Sequence, residues 1–217
     1  MVGSDKERTR ADRLAGLIAD GTRAENAGFK SFWMPQVPGY FDAMTAITLL
    51  GQATDRIELA TAVVPIQTRH PMIMAQQALT TQVACGGRFT LGIGPSHHWI
   101  VNGQLGLPYD RPAQLVSDYL DVLEASFAGV GSVDVENESY RVHGTVDVTD
   151  ACEMPVLLAA LGPTMLRLAG ERTHFVDGGR TSYRRPCRSA HHRRGEIRWA
   201  TAATRRRRGT CRPLFEQ

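Results

Sequence analysis

Short apolar runs that stop at glycine or proline, each followed by a helical stretch, constrain this chain more than any other feature. "SFWMP" (31–35), "IELATAVVP" (57–65), "RFTLGIG" (88–94) and "PVLLAALG" (155–162) read as strands. A helix over Asp5 to Ala27 precedes them, carrying Leu14, Leu17, Ile18 and Ala24 at helical spacing, with Gly28 at its stop position. "DAMTAITLLGQAT" (42–54) is a helix with Asp42 as N-cap, and "PMIMAQQALTTQVACGG" (71–87) has Pro71 in its first turn and glycines past its last. "PAQLVSDYLDVLEASFAG" (112–129) gathers Leu115, Tyr119, Val122 and Leu123 on one side, and "PTMLRLAGE" (163–171) closes the series. Strand–helix units recurring at roughly 26 to 32 residues predict parallel βαβ units. The strands agree, because parallel strands buried on both faces lose their polar–apolar alternation. Residues 132–148, "SVDVENESYRVHGTVDV", do alternate, and they read as a β-hairpin inserted into that rhythm. The fold class is α/β, either a (β/α)8 barrel or an open doubly wound sheet, with ligands expected at the C-terminal strand ends in both.

Composition narrows the class. The chain has 217 residues, 42% of them hydrophobic, which suits a globular core. No apolar run approaches the roughly 18–20 residues of a membrane span. No secretory h-region opens the chain, and Cys85, Cys152, Cys187 and Cys211 form no C-x-x-C pair. The expectation is a cytoplasmic protein without membrane association, disulfide framework or zinc ribbon. The net charge of +3 conceals a split. Residues 178–217 hold 12 of the 25 basic and 2 of the 22 acidic side chains, a balance of +10, which leaves −7 for residues 1–177.

The stretch "RFTLGIGPSHHW" (88–99) carries the densest chemistry. A dinucleotide fingerprint would need a third glycine at position 97, which is His97, and no Gly-Lys-Ser/Thr triplet occurs. Adjacent histidines on an extended chain point to opposite faces, so His97 and His98 make a poor metal pair. Two readings stay open on spacing alone. One is a tight βα turn with solvated histidines. The other is a strand end where Gly92 and Gly94 let a flat ring approach the backbone.

Six stretches in order, "AGFKSFWMPQ" (27–36), "TAVVPI" (61–66), "HPMIMAQQALT" (70–80), "GRFTLGIGPSH" (87–97), "GLPYDRP" (106–112) and "LLAALGPTMLRLAGE" (157–171), resemble the bacterial-luciferase-like family. Within it they are most similar to the deazaflavin (coenzyme F-420)-dependent oxidoreductases, over about residues 10–173. The resemblance implies a (β/α)8 TIM barrel, here incomplete, with the cofactor lying over the strand ends. It places Ala62, Val63 and Val64 in a bulge behind the cofactor ring, with a non-prolyl cis peptide at Ala62–Val63 or Val63–Val64. Gly94, Ser96 and His97 would contact the ring or the ribityl chain. Ala159, Ala160, Gly162, Pro163 and Thr164 would lie near the phosphate, at a helix start that supplies N–H groups. Gln36 stands where several deazaflavin enzymes carry a histidine. A glutamine orients a ligand but takes no proton, so an acid–base role at that place is lost, and His97 would either substitute for it or serve as a simple cofactor contact. The implied chemistry is hydride transfer between reduced coenzyme F-420 and a small organic substrate; FMN-dependent monooxygenation is the same-fold alternative. Trp33 and Trp99 would wall the ring or belong to core or rim. Asp110 and Arg111 read as a loop-to-helix cap rather than a substrate clamp.

The sequence also departs from the family. A family barrel opens with a strand, whereas this chain begins "MVGSDKERTRAD". After "AGERT" the apolar rhythm gives way to an arginine-rich stretch including "RRRR" (205–208). The expectation is a partial barrel domain over 1–174 and a disordered or frameshifted tail over 175–217, with the shift near Thr173 to Val176. If the tail is genuine, it would bind nucleic-acid phosphates with strong salt dependence. A homodimer stays open. An unclosed barrel exposes its sheet edges, so loss of activity is the expected consequence of the shortening, and a non-catalytic or basic-tailed binding protein is the reading from another class.

Overall fold

The computed structural model describes residues 10–128, 131–148, 154–173 and 175–177, together with backbone segments at 189–192, 195–198 and 210–211; side chains are described from Asp12 to Thr173 within these ranges. The chain alternates as the sequence predicts. Helix α1 (Arg10–Asn26) ends at Gly28, whose φ of +83° reverses the chain into strand β1 (Ser31–Met34). Helix α2 (Ala43–Ala53) starts where the Asp42 carboxylate accepts the Thr45 backbone N–H at 3.0 Å. Strands β2 (Glu58–Thr61) and β3 (Val64–Pro65) and a short 3-10 turn (Ile66–Thr68) lead to helix α3 (Pro71–Ala84). Then come β4 (Phe89–Gly94), the short α4 (His98–Val101), α5 (Pro112–Phe127), β5 (Ser132–Glu136) and β6 (Arg141–Thr145). Strand β7 (Val156–Ala159), helix α6 (Pro163–Arg172) and strand β8 (Phe175–Asp177) complete the series.

The strands pair in parallel in the order β1-β2-β4-β7-β8, with β3 alongside β4. Each crossover carries helix, which is how a parallel connection must run. Among the described residues the sheet stays open rather than closing into a ring of eight strands. The single strand expected over 57–65 is two strands, because the backbone breaks between Thr61 and Val64. The "SFWMP" strand is not the buried strand expected: only Met34 is buried and Trp33 is 39% exposed. Its place at the end of the sheet order explains that, since it has a strand partner on one side.

One face of the sheet packs under the helices. Met34, Leu59, Phe89, Leu91, Ile93, Val156 and Leu158 meet Ile47 and Leu50 of α2, Met74 and Ala78 of α3, and Tyr119 and Leu123 of α5 in one core. Arg88 ties that core to the end of α2. It is buried, and its guanidinium donates to the carbonyls of Gly51 (2.8 Å), Thr54 (2.7 Å) and Ile57 (2.8 Å) and to the Thr54 hydroxyl (3.2 Å). A cation at a helix C-terminus also meets the negative end of the helix dipole. Across the same loop the Glu25 carboxylate of α1 accepts the backbone N–H groups of Arg56 (2.6 Å) and Ile57 (2.8 Å).

The hairpin β5–β6 forms an antiparallel sheet of its own, with Val135 opposite Val142. Val133 and Val142 pack on Val122 of α5. The buried Asp118 carboxylate of α5 accepts the Ser139 hydroxyl (2.6 Å) and N–H (3.1 Å) from the hairpin turn. Beyond Thr173 the backbone continues in β8, and strands β9 (Ser189–His192), β10 (Gly195–Arg198) and β11 (Thr210–Cys211) pair with one another in the order β10-β9-β11. These segments fall within the stretch 175–217. "RRRR" (205–208) and the other tail positions lie outside the described residues.

Candidate functional site

The strand ends converge where β2 breaks. The peptide bond Ala62–Val63 is cis, at one of the two positions expected, and it separates β2 from β3. The Ala62 N–H donates to the Met34 carbonyl at 2.9 Å, which ties the bulge to β1. On its other side the Thr61 hydroxyl donates to the Gly92 carbonyl (2.9 Å) and accepts the Gly92 N–H (2.8 Å). This reciprocal pair replaces the ladder bonds that the break removes.

Gly92 and Gly94 are small because the protein's own atoms fill their space. A Cβ on Gly92 would fall 1.8 Å from the Thr61 carbonyl oxygen and 3.3 Å from Val63. On Gly94 it would fall 2.9 Å from the Ala159 Cβ and 3.1 Å from Val63. The glycines therefore serve strand-to-strand contact, where the sequence suggested room for a ring. The same contacts bring together Val63, Gly94 and Ala159, residues far apart in the chain, with Ala62 preceding Val63 across the cis bond and Val64 following it into the core under the helices. Ala160 is buried next to them, and Gly162 stands at the N-cap of α6 with Pro163 and Thr164 in the first turn. No side chain caps that helix start, and a Cβ on Gly162 would meet nothing within 4 Å.

The loop after β4 is held from two sides. Gln67 Nε2 donates to the Pro95 carbonyl at 2.8 Å, and the Tyr109 hydroxyl donates to the Ser96 carbonyl at 2.9 Å. Ser96 has φ +57°, in the left-handed region. Burial pushes the Tyr109 phenol pKa up. The Gln67 Oε1 atom is buried without a hydrogen-bond partner among the described residues. Neither Gln67 nor Tyr109 stands out in the sequence, although both lie in or beside the quoted motifs. Their partners are 28 and 13 positions away, and no local spacing reports such a contact.

His97 is exposed at the N-cap of α4, its ring stacked on Trp99 with centroids 6.3 Å apart. His98 opens that helix and meets Tyr109 edge-on at 5.5 Å. His97 keeps extended backbone at the N-cap, and His98 begins a short helix where the sequence suggested a loop. Trp99, at 59% exposed, and Trp33 are rim residues rather than core. Gln36 plays a structural part, since its Oε1 accepts the Ala43 N–H at 2.7 Å and adds to the cap of α2. Asp42, beside it, also pairs with Arg69. Burial works to raise the Asp42 pKa, but the Thr45 N–H and the Arg69 charge outweigh it and hold the carboxyl below its ordinary range. Asp110 does not cap α5. Arg111 occupies the N-cap with φ +41° and no side-chain cap bond, and it pairs with Glu138 of the hairpin turn. Among the described residues no three His, Cys, Asp or Glu side chains cluster as a metal site would require, and no helix is long and apolar enough to cross a membrane.

These strand ends are mostly aliphatic, with the polar Ser96–His97 loop following β4 and the uncapped start of α6 following β7. That suits a flat heterocycle carrying an anionic chain. The luciferase-like monooxygenase model matches residues 2–186. The chain belongs to this family. Among luciferase-like relatives, a protein named as a putative coenzyme F-420-dependent oxidoreductase from Mycobacterium tuberculosis is 30% identical over 161 residues, 68% of this chain and 46% of that one. The coenzyme F-420-dependent tetrahydromethanopterin reductase of Methanopyrus kandleri superposes with a TM-score of 0.65 at 26% identity, over 77% of this chain and 52% of that one. The oxygenating constituent of 3,6-diketocamphane monooxygenase from Pseudomonas putida, solved with FMN, shares the fold at a TM-score of 0.63 and 16% identity, over 76% and 51% of the two chains. The chain spans about half the length of these luciferase-like proteins. Its open parallel sheet is that part of the luciferase-like barrel.

Proposed function

We propose that this chain derives from, and binds the cofactor of, a coenzyme F-420-dependent oxidoreductase acting on a small organic substrate. The observation that carries the reading is the Ala62–Val63 bulge packed against Gly94 and Ala159. It forms a platform between the Ser96–His97 loop and the start of α6. The names of the relatives support the choice of deazaflavin. When bound, that cofactor supplies a hydride donor or acceptor carbon.

The chain's own residues would then bind and orient. Ala62, Val63 and Val64 would back the ring plane, with Gly94 and Ala159 fixing the bulge from behind. The backbone N–H groups of Gly162 and Thr164 at the start of α6 would face the phosphate, beside Pro163, which fixes the first turn and has no N–H to donate. Ser96 would donate a hydrogen bond through its hydroxyl. His97 is the group able to hold or move a proton next to the substrate. Gln36, with its oxygen engaged by Ala43, has no proton to move.

The test is a fluorescence titration of the full chain with coenzyme F-420 and, separately, with FMN. Saturable quenching by the deazaflavin with weaker FMN binding supports the reading. FMN binding alone moves the chain to the monooxygenase alternative. Binding of neither overturns the proposal and favours a non-catalytic role.

A further inference from the structure

Two consecutive carbonyls at the end of β4 are each held by a side chain from a different loop. Gln67 reaches Pro95 from the turn after β3, and Tyr109 reaches Ser96 from the loop before α5. Between these ties Ser96 sits at φ +57°. Serine has no intrinsic preference for that left-handed region, where its Cβ crowds the backbone carbonyl. A left-handed serine therefore persists only where its surroundings hold it.

The Tyr109 ring is itself fixed. His98, two residues past Ser96, packs edge-on against it at 5.5 Å. The phenol, with its pKa raised by burial, remains a donor throughout the neutral range. The loop thus closes on itself: Ser96 turns the chain, His98 follows as the first residue of α4, and Tyr109 returns to lock the turn. A free Ser96 carbonyl would let the residue relax, and the directions of its hydroxyl and of His97 would change together.

We propose that Tyr109 is a positioning residue of the strand-end site: its hydroxyl holds the Ser96 carbonyl, fixing the left-handed turn that presents Ser96 and His97 to the bound cofactor. The inference rests on the proposed cofactor binding and deepens it. It gives the "GLPYDRP" loop a role in cofactor binding that its distance along the chain conceals.

Tyr109→Phe removes one oxygen and keeps the ring against His98. Three readouts on the full chain test it: the Kd for coenzyme F-420, the absorbance spectrum of the bound cofactor, and the thermal midpoint. The expected result is a Kd raised about three- to tenfold, the span of one ordinary hydrogen bond. The bound spectrum should shift while the midpoint stays within about 4 °C. An unchanged Kd and spectrum, with normal binding by the unmodified chain, overturns the positioning role. So does weakened binding accompanied by a much larger fall in the midpoint, which marks Tyr109 as merely structural. If the unmodified chain binds neither coenzyme F-420 nor FMN, the functional reading fails first and takes this inference with it.

Discussion

Gly94 and Ala159 stand side by side at the ends of β4 and β7, so close that a β-carbon built on Gly94 would lie 2.9 Å from that of Ala159. Neither atom can rotate away, because each is fixed by its backbone. Gly94→Ala should therefore force the two strands apart and destabilise the fold by about 1–3 kcal/mol. Gly92→Ala meets a carbonyl oxygen instead and should cost about 3 kcal/mol or more, since a backbone segment must move. Urea unfolding midpoints of the two variants check both the sizes and their order. A Gly92→Ala variant as stable as the parent would contradict this packing of β4 against the bulge.

Arg88 has its guanidinium inside the protein, bound to three backbone carbonyls and one hydroxyl. Arg88→Met fills much of the volume but leaves those carbonyls without donors. The expected loss is about 3–5 kcal/mol, larger than for any exposed arginine, because buried acceptors are then unpaired. Arg167→Met, which removes an exposed ion pair on α6, is the control and should change stability by less than about 1 kcal/mol. Chemical denaturation of the pair gives the comparison.

Glu25 predicts a pH dependence. Burial works to raise its pKa, but the backbone N–H groups of Ile57, Arg56 and Asp55 outweigh this and hold it below the ordinary carboxylate value. A carboxylate whose pKa is depressed by folding contributes stability above its unfolded pKa and loses it as the pH falls through the folded value. Stability should thus decline as the pH drops below about 4.3, the ordinary glutamate value. Glu25→Gln should be less stable at neutral pH and show a flatter acid limb. Thermal midpoints between pH 7 and 3 read this directly, and a parallel pair of curves would rule Glu25 out as a contributor.

Much of this architecture is legible in the chain itself. The apolar strands, Asp42 as a cap, Pro71 in a first turn and the glycines after α3 are local signals, and each marks an element found within a few residues of its expected ends. The break in "IELATAVVP" is legible only through the family resemblance, because nothing in the spacing of Ala62 and Val63 demands a cis bond. Gln36 and Arg111 escape a reading of the sequence for one physical reason. Their partners, Ala43 and Glu138, are brought near by the fold of the intervening chain, and a polar residue looks the same in sequence whether or not it is engaged. The burial of Arg88 does not follow from the sequence either, since arginine is rarely found inside a protein. Tyr109 and Gln67 belong with these.

Asp118 supports a prediction about the hairpin. Its carboxylate holds the Ser139 hydroxyl and N–H and also accepts from Gln114 Nε2 at 2.8 Å. Asp118→Ala should release the turn, costing about 1.5–3 kcal/mol for the hydrogen bonds to a charged group that are lost, since Ser139 and Gln114 are exposed and can turn to water. Limited proteolysis should then cut near residues 136–141 faster than in the parent. Equal rates of cleavage would show that the remaining contacts, the valines, Tyr140 against Tyr119 and Asn137 on Asp121, hold the hairpin without the Asp118 carboxylate.

That attachment has an evolutionary consequence. Strands β5 and β6 pair with each other, and the hairpin rests on α5, so its length and sequence are decoupled from the order of the parallel strands. Insertions or deletions there would leave the strand ends and their register untouched. Through Glu138 and Arg111, however, the hairpin turn reaches the loop that carries Tyr109. The excursion between α5 and β7 is thus a place where lineages can vary the contacts of the loop that carries Tyr109 while inheriting the parallel strand ends unchanged.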